Sequence, residues 1–88
     1  MRIKCAAIKL DGTIYLGKSH FEIVKILVKL GLCERYPGGV NQGFVTENGA
    51  YVGRKVALQI AIMSGQVVEG KTINKRKLFS EDLRRNDV

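Results

Sequence analysis

Gly12 to Ser19 spells G-x-x-x-x-G-K-S, the spacing with which a phosphate loop cradles a nucleotide through backbone N–H groups and a lysine. The four middle residues argue against such a loop. Thr13, Ile14, Tyr15 and Leu16 favour an extended strand and would spend their N–H groups on a ladder. No apolar run ending in aspartate follows to hold magnesium, and the chain is short for a doubly wound nucleotide hydrolase. The second half of the pattern keeps its meaning. A helix starting at Ser19 has open N–H groups and the positive end of its dipole, and both attract anions. Lys18 precedes that start and His20 lies in its first turn. Tyr51-Val52-Gly53-Arg54-Lys55 is a shortened echo of Tyr15-Leu16-Gly17-Lys18-Ser19-His20. In each, a tyrosine stands two residues before a glycine, a basic residue follows, and an apolar periodic segment comes next. Two such helix starts facing one hollow would suit a pyrophosphate.

Each of these residues also has a plainer role. Lys18, Arg54 and Lys55 are either anion ligands or solvated charges, and Ser19 is either a ligand or only a helix cap. Tyr15, Tyr51 and Phe44 belong to the core or sheet surface, or else offer a flat ring on which a base can stack. His20, beside Lys18 at a helix start, has its charged form disfavoured and suits a neutral hydrogen-bonding partner. Ser19 and Ser80 have no base evident in the sequence. Cys5 and Cys33 are isolated, without a C-x-x-C or Cys/His arrangement. They fit free thiols of a reducing cytoplasm better than a disulfide or a metal site. The expectation is therefore a binding protein, with no catalytic set, cofactor or metal.

The elements that position these residues follow from local patterns. Residues 2–10 read as a strand, Asp11-Gly12 as a two-residue turn with positive φ at both positions, and Thr13 to Leu16 as the return strand. Ser19 with Glu22 forms a capping-box pattern, which opens a helix over 19–30 stopped by Gly31. Its expected apolar face is Phe21, Val24, Leu27, Val28 and Leu30. A loop over 32–42 holds Pro37-Gly38-Gly39. A second hairpin, Phe44 to Glu47 and Ala50 to Val52 around Asn48-Gly49, leads to a helix over 54–64. That helix is apolar nearly all round, more than one small domain can cover, which predicts a homo-oligomer. Val67-Val68 reads as a short further strand. Leu78-Phe79 reads as an anchor, Ser80 to Leu83 as one helical turn, and Arg84 to Val88 as a frayed end. The fold class is α+β: one domain over 1–88, in which a ββα unit (2–31) and a second ββα unit (43–65) share an antiparallel sheet. A basic loop and tail complete it over 66–88.

The 88 residues carry a formal charge of +7, yet 45% are hydrophobic and only 26% charged. That is too apolar for a disordered basic tail and favours an anionic partner. No run is long and apolar enough for a membrane span, and no signal-peptide pattern opens the chain, so a cytoplasmic protein is expected. Lys75-Arg76-Lys77 is the feature that best suits nucleic acid or a host protein. Few aromatics accompany it, and no zinc finger, RNP motif or G-x-x-G clamp appears.

Gln42 to Gly49, Tyr51 to Lys55, Leu78 to Leu83 and Ile14 to His20, taken together, resemble a group of small bacteriophage proteins, over most of residues 3–83. The group's usual form has another residue at Ser19 and often an acidic one near Lys55. Phage proteins of this kind include sponges for nucleotide immune signals, among them the Lockin and Sequestin families directed at the Thoeris system. The chain is similar to these in being small, basic and expected to oligomerise. That likeness implies an ADP-ribose-type ligand, such as cyclic ADP-ribose or histidine–ADP-ribose. It would be sequestered in the host bacterial cytoplasm, with its pyrophosphate at Lys18 and Arg54 and its adenine against Tyr15, Tyr51 or Phe44.

Overall fold

The computed structural model describes residues 1–33 and 42–85, and the Pro37-Gly38-Gly39 loop and the last three residues lie outside them. Strand β1 (Ile3–Leu10) turns at Asp11-Gly12 into β2 (Thr13–Gly17), and helix α1 (His20–Lys29) follows. Strands β3 (Gln42–Thr46) and β4 (Tyr51–Gly53) run directly into helix α2 (Arg54–Met63), and α3 (Ser80–Arg85) closes the chain. Asp11 and Gly12 have φ of 49° and 79°, the two positive values that the tight hairpin turn demands. The second hairpin differs from expectation. Its loop is three residues long, Glu47 to Gly49, with Gly49 alone at positive φ and its N–H donating to the Thr46 carbonyl. A three-residue loop places the left-handed residue last.

The four strands form one antiparallel sheet in the order β2-β1-β3-β4. The two ββα units thus meet through their first strands, β1 against β3. Alternation along each strand sends Ala6, Ile8 and Phe44 to one face, where α1 and α2 cover them with Ile23, Val24, Leu27, Ala57, Leu58 and Ala61. The opposite face carries Cys5, Ile14, Leu16 and Tyr51, with Ile14 and Leu16 exposed.

Two expectations are corrected. The buried stripe of α1 is His20, Ile23, Val24 and Leu27, whereas Phe21, Val28 and Leu30 are exposed. The stripe is rotated toward His20, whose ring and backbone N–H are hydrogen-bonded in the interior. Val67-Val68 is not a strand. The Gln66 side chain takes a strand's place, accepting from the Ile3 N–H at 2.6 Å and donating to the Ile3 carbonyl at 2.8 Å. Helix α2 buries Ala57, Leu58 and Ala61 but leaves Val56 and Met63 outside, Met63 at 85%.

Candidate functional site

The two helix starts are built differently. At α1, the Ser19 hydroxyl accepts from the Glu22 N–H at 3.1 Å and caps the helix as its sequence predicts. The His20 N–H donates to the Ser80 hydroxyl at 3.3 Å, so a residue from the far end of the chain caps the same turn. The His20 ring lies edge-on to Phe44 and its Nε2 donates to the Gly43 carbonyl at 2.7 Å. Nδ1 is then left to accept from the Ser80 hydroxyl at 3.4 Å. Burial is the main reason that His20 titrates below the ordinary imidazole range. The Arg54 charge reinforces the shift, and the Gly43 bond and Glu81 oppose it. Ser80 and His20 stand as a nucleophile and base would, but they are only 1% and 3% exposed. Their hydrogen bonds run to backbone and to each other, which makes the pair a structural tie.

Helix α2 starts at Arg54 directly after Gly53, with no side-chain cap and no acidic residue in its first turn. The Arg54 guanidinium donates to the Gln42 side-chain carbonyl and lies 4.7 Å from the centre of the Phe79 ring. Its own carbonyl accepts from the Leu78 N–H. Tyr51 packs its phenol end over Gly43, and burial raises its pKa against the lowering influence of Arg54. Segment 78–80 therefore lies between the two helix starts and bonds to both.

The eight residues singled out in the sequence fall into three groups. Ser19, His20, Phe44 and Arg54 are engaged around the junction of the helix starts, and Phe44 is fully buried. Tyr15 and Tyr51 are half-buried, Tyr15 against the core and Tyr51 over Gly43. Only Lys18 and Lys55 are exposed, and they line different hollows.

The Lys18 hollow measures about 760 Å³ and is lined by Lys4, Cys5, Leu16, Gly17, Lys18, Glu22 and Leu83. It opens where β2 ends and β1 continues. Pairing steps from Ile3–Thr46 to Cys5–Val45, so Lys4 is the extra residue of a β-bulge, a device that re-aims a side chain. Lys4 and Leu83 were not foreseeable as partners of Lys18. The bulge depends on the register against β3, and Leu83 is placed by the buried Ser80 and Asp82. Among the described residues, no group of three His, Cys, Asp or Glu side chains is placed to hold a metal. No helix among them is long and apolar enough to cross a membrane.

No curated protein and no solved structure is significantly similar to the chain. The sequence profile of one bacteriophage family does match, over residues 2–83, and so takes in both ββα units, the 78–80 bridge and the Lys18 hollow. That span includes every stretch on which the phage resemblance rests, and on it the chain belongs to the phage T4 y16D protein family.

Proposed function

We propose that the chain binds a small anionic ligand with an apolar part, of the ADP-ribose type, in the hollow between β1, β2, α1 and α3. The observation that carries this reading is the bulge at Lys4, which supplies a second ammonium to the hollow that Lys18 lines. The hollow's volume suits a nucleotide-sized molecule. Two ammonium groups would meet the phosphates, Leu16 and Leu83 would cover the ring or ribose, and Glu22 would favour a hydroxyl-bearing side of the ligand. Tight binding without turnover would make the protein a trap for a nucleotide immune signal in the infected cell's cytoplasm. Arg54, Phe44 and His20 then serve the site by fixing α1 and α2, not by touching the ligand.

Calorimetry with ADP-ribose and cyclic ADP-ribose tests the idea, followed by chromatography to show the ligand intact. Lys4→Ala and Lys18→Ala should each weaken binding by about 1–3 kcal/mol. No heat at high micromolar ligand would end the proposal. We infer further that the protein acts as a homo-oligomer. Support comes from the apolar side chains left outside, including Phe21 and Leu30 on α1 and Val56 and Met63 on α2. Light scattering at micromolar concentration reads the mass, and a monomer would remove this part.

A further inference from the structure

The segment between α2 and α3 contains no strand or helix, yet its second half is held by a set of hydrogen bonds. The Thr72 hydroxyl donates to the Asn74 carbonyl at 2.6 Å. The Asn74 side chain accepts from the Arg76 and Lys77 N–H groups at 2.8 and 3.2 Å. The fully buried Asp82 carboxylate accepts from Ile73 N–H at 2.9 Å and Phe79 N–H at 3.0 Å, which pins both ends of the loop. Lys75, Arg76 and Lys77 are thus displayed on a fixed turn and not on a loose tail.

That turn meets the first two turns of α2. Lys75 and Arg76 line an open hollow of about 420 Å³ with Lys55, Val56 and Gln59. The three cations are exposed, and no ion pair between described residues neutralises them. Like charges gathered on a fixed frame repel one another and draw anions from solution. The make-up of the surface selects the kind of anion. A protein partner is met by surfaces with aromatic centres and few lysines, whereas here the one apolar wall is Val56. Single strands need rings on which bases stack, but the loop's one ring, Phe79, is taken up by the Arg54 guanidinium. What remains is suited to backbone phosphates alone.

We propose that the Lys55–Lys75–Arg76 surface docks on the phosphates of duplex nucleic acid without reading its sequence. This is a second site, independent of the hollow beside Lys18. Three phosphate contacts predict that the logarithm of affinity falls with the logarithm of salt at a slope of about −3.

Fluorescence anisotropy with a labelled mixed-sequence duplex provides the test, using the full chain and two triple variants of equal net charge. Lys55→Gln/Lys75→Gln/Arg76→Gln should lose at least about tenfold in affinity at low salt and most of the slope. Lys9→Gln/Lys25→Gln/Lys29→Gln, which neutralises exposed lysines elsewhere, should stay within about twofold of the parent. Lack of binding by the parent chain at low salt overturns the proposal, as does equal weakening by the two variants. Competition by poly-glutamate as strong as that by unlabelled duplex, at equal charge, would also overturn it and point to an acidic protein instead.

Discussion

The starts of α1 and α2 follow nearly the same residues and end up as opposites. After Gly17 the chain spends two residues, Lys18 and Ser19, before the helix begins at His20; after Gly53 it spends none. The extra step lets Ser19 cap α1 and turns Lys18 outward to a hollow, while His20 goes in. Without that step, Arg54 itself enters the first turn of α2 and is drawn to Gln42 and Phe79, and Lys55 faces solvent beside Lys75. The glycines record the same contrast. A Cβ on Gly17 would lie 2.6 Å from Ile23, whereas one on Gly53 would meet nothing within 4 Å. A sealed start and an open one arise from a difference of two residues in spacing.

Both starts rest on β3 at Gly43, and the largest expected effect lies there. Its carbonyl takes the His20 ring from one start, and Tyr51, leading into the other, lies across its α-carbon. A Cβ at this position would collide with the Val52 carbonyl and lie 2.7 Å from the Tyr51 ring. Backbone cannot swing aside as a side-chain tip can, so Gly43→Ala should cost about 3 kcal/mol. Urea unfolding would show it as a lowered midpoint. Gly53→Ala, placed in open space but at the N-cap of α2, where alanine is poorer than glycine, should cost no more than about 1 kcal/mol. Equal loss in the two variants would mean that β3 is not the shared support.

How much of this could be read from the residues divides along the same line. The strands, both hairpins and both long helices were legible because β-branched and aromatic runs, Asp-Gly and Asn-Gly turns and the Ser19–Glu22 cap are local signals. That His20 hydrogen-bonds and has its charged form disfavoured was legible too, although the cause is burial and not the neighbouring Lys18. What bonds to His20 was not. Ser80 is sixty positions away, and nothing in Ser80-Glu81-Asp82-Leu83 marks it as a cap for a helix in the other half of the chain. Nor was it legible that residues 78–80 bond to both helix starts. Gln66 misled similarly, because a side-chain amide that pairs with Ile3 leaves no periodic trace. Lys4 was one more basic residue in a strand until the register of β1 against β3 showed it to be the extra one.

The sealed start carries a pH signature on the acid side of neutrality. Burial holds the folded His20 below its ordinary pKa, while an unfolded chain takes up the proton near about 6.5. A lowered folded value means that the unfolded state binds more protons in that window, so stability is full above about 6.5 and falls as pH drops toward the folded value. His20 is the chain's only histidine, so the slope between neutral pH and the carboxylate range can be assigned to it. His20→Gln should lose about 2 kcal/mol at pH 7.5 through the disturbed bonds to Gly43 and Ser80. It should also show a flatter dependence on pH than the parent. Parallel pH profiles for the two proteins would remove His20 as the titrating tie.

The smallest effects are also the sharpest test of sealed against open, because they should differ in sign. Ser19→Ala removes the acceptor for the Glu22 N–H and should lower stability by about 1 kcal/mol. Ser80 cannot replace it, since its hydroxyl is already taken by the His20 N–H one residue into the turn. Gly53 holds the equivalent position in α2 with φ of −72°, a conformation open to any L-residue. Gly53→Ser therefore adds a cap without strain and restricts the unfolded chain, for a gain of about 0.5 kcal/mol. The two serines would then be worth different amounts because α1 already rests on one and α2 has done without. If Gly53→Ser lowers the midpoint, something in solution occupies the start of α2 and the added hydroxyl displaces it. If Ser19→Ala proves neutral, the sealing of α1 belongs to His20 and Ser80 alone, and the capping-box residues are bystanders to it.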